Sequence, residues 1–311
     1  MKILITGASG FIGETLRTHF ESCADYDVIA ISKSASNNTI GIGPIDGDTN
    51  WSQYLYNVDC VIHCAGIAHN KYSSQTSDSD IYSITNVDAT SNLLKQAISN
   101  NVKRFIFLSS IGVNGCFTPN NKEFSETDTP SPYNLYTKSK LSAENSIIEL
   151  CDNSTMNYII IRLPLVYGPN PVGNLSNLLN LLRKYPLLPL AGISNNRSFL
   201  AISNLVSFIQ LCTDFERSAP ASNQIFLLAD DEKISTTNFI RKIINAYNLN
   251  VILVKFPKFV LFLMFYTIGK LDDYKRLTYS LTVNIDKSKK LLGWTPPYNS
   301  DEQLKIMADR D

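Results

Sequence analysis

Net charge is the first thing this sequence lacks: its 28 lysines and arginines are matched by 28 aspartates and glutamates over 311 residues. Without an overall field the chain has no long-range means of gathering nucleic acid or an anionic membrane, so any anionic ligand must be held by local arginines. Also missing is any CxxC pair. Cys23, Cys60, Cys64, Cys116, Cys151 and Cys212 are scattered through apolar runs, which reads as small buried residues in a reducing compartment and not as a disulfide or metal framework. No apolar leader stands before the first strand, which predicts a cytoplasmic protein. No internal repeat, low-complexity tract or disordered composition is present either. The apolar stretch Phe256 to Ile268 is shorter than the ~20 residues a bilayer span requires, and it contains Pro257 and Lys258. No transmembrane span is expected, and a helix packed under a C-terminal lobe is preferred to membrane contact.

What the sequence does have begins at its first residues, Met1-Lys-Ile-Leu-Ile-Thr-Gly-Ala-Ser-Gly-Phe-Ile-Gly13. A short buried strand turns through Gly7 and Gly10 into an amphipathic helix over Phe11 to Phe20. With Gly7, Gly10 and Gly13 lacking side chains, a dinucleotide pyrophosphate can approach bare amides at the positive end of that helix. The spacing is GxxGxxG, and its place after a strand gives it weight that the spacing alone lacks. Tyr26 to Ser32 reads as a second strand whose end meets the adenosine ribose. That end is Ser32-Lys33, where a carboxylate would hold the free hydroxyls of NAD; a hydroxyl followed by a lysine suits a 2′-phosphate, so NADP(H) is favoured and NAD(H) remains possible.

Further buried strands are predicted over Val58 to Ala65, Val102 to Leu108 and Met156 to Leu163, giving an α/β fold with a doubly wound parallel sheet. His63 inside the first of these segments reads as a hydrogen-bonded core histidine. A helix is expected from about Asp80 to Asn100, with Asn86 either bracketing the cofactor site or facing water. The strand over Val102 to Leu108 delivers Ser109 and Ser110 where open α/β sheets place ligands. A loop through Gly115, Pro119, Asn120 and Asn121 follows, long enough to line a substrate. In the next helix Tyr136 and Lys140 are four apart and share one face. An ammonium at that distance is expected to lower the phenol's pKa, normally about 10, toward neutrality with help from an oxidised nicotinamide. Two regions are expected: residues 1–168 bind the dinucleotide, and residues 169–311 form a smaller substrate lobe, with strand returns around 198–230. In that lobe Asn174 reads as a helix N-cap, and Arg197 and Arg276 as candidates to clamp a diphosphate.

These motifs together resemble the extended short-chain dehydrogenase/reductases, the nucleotide-sugar epimerase/dehydratase family. The matching residues are Thr6-Gly-Ala-Ser-Gly-Phe-Ile-Gly13, His63-Cys-Ala-Gly66, Phe107-Leu-Ser-Ser110, Tyr136-Thr-Lys-Ser-Lys140, Arg162-Leu-Pro-Leu-Val-Tyr-Gly-Pro169, Arg197-Ser-Phe and Leu292-Gly-Trp294. The resemblance implies a catalytic triad of Ser110, Tyr136 and Lys140. It also implies a cofactor site that includes Gly7, Gly10, Phe11, Ile12, Gly13, Ser32, Lys33, Cys64, Ala65, Gly66, Asn86, Ser109 and Leu163. A UDP-sugar held by Asn174, Arg197 and Arg276 is implied too, as is a homodimer through the helices that follow Asn86 and Tyr136. The family's dehydratases carry an aspartate and a glutamate just after the catalytic hydroxyl; here Ile111 and Gly112 stand there, which sets dehydration aside. Val283 falls where the epimerases gate acyl groups, and its size leaves room for a 2-acetamido sugar. The resemblance therefore implies chemistry at C4 of a UDP-linked sugar for bacterial surface polysaccharide, with a 4-keto reductase placed ahead of a 4-epimerase on the strength of Ser32-Lys33. A cofactor-sensing regulator without catalysis is the rival of another class, disfavoured because Tyr136 and Lys140 are both kept.

Overall fold

The structure is a computed structural model that describes residues 1–36, 38–68, 78–119 and 122–311. Asn120 and Asn121 of the expected loop lie outside the described residues. In chain order the elements are β1 (Lys2–Thr6), α1 (Phe11–Glu21), β2 (Asp27–Ser32), β3 (Ile40–Gly41), α2 (Ser52–Leu55), β4 (Cys60–His63), α3 (Asp78–Tyr82), a π-helical turn Ser83–Asp88, α4 (Ala89–Ser99), β5 (Arg104–Ser110), α5 (Leu135–Asp152), β6 (Asn157–Leu163) and β7 (Leu165–Tyr167). They continue as α6 (Gly173–Lys184), β8 (Leu187–Leu188), β9 (Arg197–Ala201), α7 (Ile202–Thr213), β10 (Gln224–Leu227), β11 (Lys233–Ile234), α8 (Thr236–Ala246), β12 (Ile252–Leu253), α9 (Lys258–Thr267), α10 (Leu271–Thr278), α11 (Asp286–Leu292) and α12 (Ser300–Arg310).

Seven parallel strands form the central sheet in the order β10-β6-β5-β4-β1-β2-β3. This is the doubly wound Rossmann-like arrangement, and the chain reverses direction across the sheet between β1 and β4. The inner strands are buried on both sides because helices cover both faces, while the edge strand β3 is exposed. Ile3 and Ile5 of β1 point into one core with Leu16, Phe20, Leu205, Phe208 and Phe226. Leu4 points into the other, with Leu93, Leu94, Ala143 and Ile147.

The segment expected as one helix from Asp80 is divided. A π-helical turn sits between α3 and α4, and such a turn re-aims side chains that a regular helix would leave outside. Here it carries Asn86 inward, to 1% exposure. The second lobe has its own core, in which α6, α8 and α12 pack around Tyr167, Phe199 and Phe239. The lobe is not a clean C-terminal cut, since α7 and β10 return to the central sheet and Trp294 packs edge-on against Phe208, 5.1 Å between ring centroids.

The apolar stretch at 256–268 departs from expectation. It forms α9, but only Leu261 is buried under the lobe, with Phe265 beside it, while Phe259, Phe262, Leu263 and Tyr266 stand in solvent. The cause is periodicity: this helix is apolar on both faces, and the lobe covers one of them.

Candidate active site

The glycine turn closes tightly over the carboxyl end of β1. Gly7 has φ +66°, the left-handed region, and a Cβ there would lie 2.7 Å from the Ala65 amide nitrogen. A Cβ on Gly13 would lie 2.2 Å from the Gly7 carbonyl oxygen. Gly10, the N-cap of α1, has no side-chain cap, so the first-turn amides of an 11-residue helix face the switch point unscreened. Phe11 and Ile12 open that helix. Bare backbone, a positive helix end and the neighbouring Cys64-Ala65-Gly66 turn together fit a dinucleotide diphosphate.

Around this cradle the polar groups are bracketed from behind. His63 joins Thr6 Oγ1 at 2.7 Å and Thr90 Oγ1 at 2.9 Å, and burial drives its pKa down to about 3. It is a neutral core histidine. Asn86 accepts from the Ile67 amide at 2.8 Å and donates to the Ile67 carbonyl and to Ser139 Oγ, both at 3.0 Å. It thus ties the turn after β4 to α5 and does not face water. A Cβ on Gly66 would stand 3.1 Å from Asn86 Oδ1 and 3.3 Å from Lys140 Nζ.

Helix α5 starts where Asn134 and Thr137 form a reciprocal cap, Asn134 Oδ1 accepting from the Thr137 amide at 2.8 Å and Thr137 Oγ1 from the Asn134 amide at 3.2 Å. The cap fixes Tyr136 in the first turn. Because alternate residues of a strand point to opposite faces, Ser109 and Ser110 part company at the end of β5. Ser109 donates to Glu144 behind the sheet, while Ser110 turns to the Tyr136 phenol and accepts from the Gly112 amide at 3.1 Å. Leu163 on β6 runs in register with Ser110.

Lys140 is 5% exposed, donates to the Leu108 carbonyl at 2.9 Å and lies 4.4 Å over the Phe107 ring. Burial lowers its pKa to about 8, opposed by Cys64 and Glu144. The shared face of Tyr136 and Lys140 is present, yet the predicted effect on the phenol is not. Burial raises Tyr136 to about 12, with the Ser110 hydrogen bond acting the other way. The ammonium is turned to the sheet, so in the cofactor-free protein Tyr136 is a proton donor.

The Lys140 shift is a stability statement. From pH 8 to 10.5 the folded chain binds fewer protons here than the unfolded chain, so stability rises with pH across that window. At pH 7 the buried ammonium costs up to about 3 kcal/mol. Replacing Lys140 by methionine is therefore expected to stabilise the cofactor-free protein by about 1–2 kcal/mol at pH 7, after the lost Leu108 bond is allowed for, with the gain fading toward pH 10.5. Urea unfolding of both proteins measures this; a destabilised variant at pH 7 would contradict it.

One network escaped the sequence reading. Glu144, one turn beyond Lys140, takes Arg162 of β6 at 2.6 Å, and Arg162 donates to Asn114 Oδ1 at 2.9 Å. The pair is 2% and 1% exposed. The available signal was an arginine inside the apolar run Tyr158-Ile-Ile-Ile-Arg-Leu, since a buried charge needs a partner.

The substrate side is less tightly built. Arg197 Nη1 donates to the Arg276 carbonyl at 2.5 Å and to the Tyr279 carbonyl at 3.3 Å. The Arg197 pKa is lowered to about 10, chiefly by burial, with Tyr133 opposing and the neighbouring Arg276 charge adding to the fall. The Arg197 side chain is thus tied to the backbone of Arg276, 79 residues further on, with the Arg276 charge near enough to act on it, an arrangement suited to an anion. Asn174 is not the N-cap it was expected to be. The helix α6 begins two residues earlier than that cap would give, at Gly173 with Val172 as cap, which leaves Asn174 exposed in the first turn. Val283 is buried in an apolar cluster with Ile111, Leu281 and Phe124, directly behind the Ser110 turn. A cavity of about 700 Å³ opens behind the Arg197 loop, between Ala191 to Asn196 and Lys255 to Lys258. At the adenosine end, Ser32 is buried and its hydroxyl lies 2.6 Å from the Ser34 carbonyl and 2.8 Å from Thr39 Oγ1.

Comparisons with known proteins establish the family and the fold. The UDP-glucose 4-epimerase of Vibrio cholerae is 36% identical over 311 residues, covering 98% of this chain and 94% of that protein. The N-acetyl-α-D-glucosaminyl-diphospho-ditrans,octacis-undecaprenol 4-epimerase of Escherichia coli O157:H7 is 25% identical over 278 residues, covering 88% and 78%. The crystal structure of a Bacillus cereus UDP-glucuronic acid 4-epimerase in complex with NAD superposes with a TM-score of 0.78 at 20% identity, over 100% of this chain and 96% of that one. The profile of the NAD dependent epimerase/dehydratase family matches residues 3–226, and this chain is an enzyme of that family.

Proposed function

We propose that this enzyme is a 4-epimerase of a UDP-linked hexose, and that its site residues are those named above. The observation that carries the reading is the hydrogen bond between Ser110 and Tyr136, one helical turn from the Lys140 that stands against Gly66 of the cradle, together with the meeting of Arg197 with the Arg276 backbone. The two curated relatives above are 4-epimerases by name, which supports the same reaction. A nicotinamide bound here supplies the acceptor and donor of hydride. Tyr136 takes the proton of the 4-hydroxyl and later returns it, while the Ser110 hydroxyl holds the same oxygen in line. With cofactor bound, Lys140 would hold the nicotinamide ribose, and its ammonium, held here by the Leu108 carbonyl, would turn to assist the phenol. Arg197 and Arg276 hold the diphosphate, Asn174 offers a first-turn amide, and the nucleoside lies toward the cavity behind the loop. With the sugar tethered only by its diphosphate, it can turn and receive the proton and hydride on the other face.

A 4-keto reductase is the second reading, favoured by the absence of an acidic residue at Ser32-Lys33. Ser32 is already engaged by Ser34 and Thr39, which leaves little of the case for a 2′-phosphate. Purification decides between them. An epimerase carries NAD through the column and interconverts UDP-hexoses without added cofactor; a protein that arrives empty and demands NADPH with a 4-keto sugar would overturn the order.

The acetamido preference rests on Val283. Val283→Tyr is expected to lower kcat/KM for UDP-N-acetylglucosamine about 10- to 200-fold relative to UDP-glucose, the usual scale of steric discrimination. An unchanged ratio would remove Val283 from the pocket. A homodimer through α4 and α5 belongs to the same proposal, and light scattering in solution tests it.

A further inference from the structure

We infer that α9 is a docking element for an anionic lipid bilayer, lying in its surface and not crossing it. Phe259, Phe262, Leu263 and Tyr266 recur at the i, i+3, i+4, i+7 positions of one helical stripe, and they are 71%, 41%, 46% and 60% exposed. Met264 and Ile268 extend the same apolar surface, at 46% and 63%. The inner side of the helix is already satisfied by Leu261 and Phe265 in the lobe core. Apart from Phe262, whose ring edge meets Tyr274 of α10, the outer stripe has no ring partner outside α9 among the described residues.

Charge says what covers it. From Lys233 to Leu271 the chain carries six lysines and arginines and no aspartate or glutamate, although the whole sequence is balanced at 28 of each. Lys233 and Lys242 are engaged by Glu123, Glu232 and Asp301. Among the described residues, Arg241, Lys255, Lys258 and Lys270 have no carboxylate within ion-pair distance. Lys255 and Lys258 stand at one end of α9 and Lys270 just past the other. The nearest acidic residues along the chain, Asp272 and Asp273, are matched one turn on by Lys275 and Arg276, at 3.9 and 4.0 Å. An aromatic apolar stripe flanked at both ends by unpaired lysines is the chemistry of an interfacial helix, with rings at the acyl boundary and ammonium groups at the phosphates. A protein partner would be expected to find hydrogen-bonding groups across such a patch, about one per 100–200 Å² of interface. The stripe offers only the Tyr266 hydroxyl. With 10 residues α9 is far too short to span, and no helix among the described residues is long and apolar enough to do so.

Gly269, at φ +70°, turns α9 directly into α10, whose last turn carries Arg276. Phe262 and Tyr274 pack edge-on between the two helices at 5.5 Å. Docking would therefore bear on the same helical hairpin that reaches Arg197.

Sedimentation of the full chain with vesicles tests this. Wild-type protein is expected to partition onto phosphatidylcholine vesicles containing phosphatidylglycerol, far less onto phosphatidylcholine alone, and to be released by high salt. The double variant Phe259→Glu/Leu263→Glu should lose binding at least about tenfold with its activity on soluble substrate intact, since both side chains are exposed and neither is among the site residues named above. Lys258→Ala and Lys270→Ala should each weaken binding about fivefold, the ~1 kcal/mol of a basic residue near an anionic surface. Unaltered circular dichroism of the variants separates lost docking from lost folding. Failure of the wild type to pellet with anionic vesicles would overturn the inference. So would a wild-type oligomer that the Phe259→Glu/Leu263→Glu variant dissociates, which would assign the stripe to a second copy of the chain.

Discussion

Replacing Tyr136 by phenylalanine is expected to lower kcat by about a hundred- to ten-thousandfold, the range attributed to a positioned acid-base group, with KM and cofactor retention little changed. The ring stays and only the hydroxyl goes, so packing against Tyr82, 6.3 Å between centroids, is kept. The loss should be similar in both directions because one oxygen takes and returns the same proton. The pH dependence carries a sign. In the cofactor-free protein the phenol ionises at about 12 because burial outweighs the Ser110 hydrogen bond. A bound oxidised nicotinamide adds a positive charge, so the acidic limb of kcat/KM, set by the phenolate that accepts the 4-hydroxyl proton, must lie well below that value once cofactor is present. Ultraviolet titration of tyrosinate with and without NAD checks it: the loaded protein should gain a phenolate near neutrality that the Tyr136→Phe variant lacks. Turnover unchanged by Tyr136→Phe would remove this residue from the mechanism.

The second large effect is on stability. Glu144→Ala strands the Arg162 guanidinium in a site that is 2% exposed and removes the acceptor of Ser109 as well. Breaking a buried pair by removing one partner costs about 3–5 kcal/mol, because the remaining charge stays desolvated. Helix α5 would lose its tie to β6 one turn beyond Lys140. A falling urea midpoint for Glu144→Ala, largely restored in Glu144→Leu/Arg162→Met, is the expected pattern, since a well-packed apolar pair can replace a buried ionic one. A change below about 1 kcal/mol in Glu144→Ala would show that water reaches the pair.

How legible this was depended on distance along the chain. The glycine turn, the strand-helix alternation and the Tyr136/Lys140 face are local patterns, and each appears where spacing placed it. Asn86 was legible as a polar residue in an apolar helix, but its burial depends on a π-helical turn that no periodicity announces. Glu144 and Arg162 lie 18 residues apart on a helix and a strand, so neither has a partner until the sheet is assembled. The direction of the Tyr136 shift was lost for a related reason: sequence gave the separation of phenol and ammonium, while the Leu108 carbonyl, which holds the ammonium away, is supplied by β5. Helix α9 was recognised as apolar, but only the finished lobe shows that it covers one of two apolar faces. Arg197 and Arg276 were candidates one at a time, and their meeting is a property of the fold.

The most direct test mixes purified protein, carrying its bound NAD, with a UDP-hexose in a stopped-flow cell and follows absorbance at the wavelength of reduced nicotinamide. A transient rise with wild-type protein, suppressed in Tyr136→Phe although the dinucleotide stays bound, is the result predicted for proton transfer by Tyr136 in step with hydride transfer at C4. A rise of equal rate and amplitude in the two proteins would contradict it.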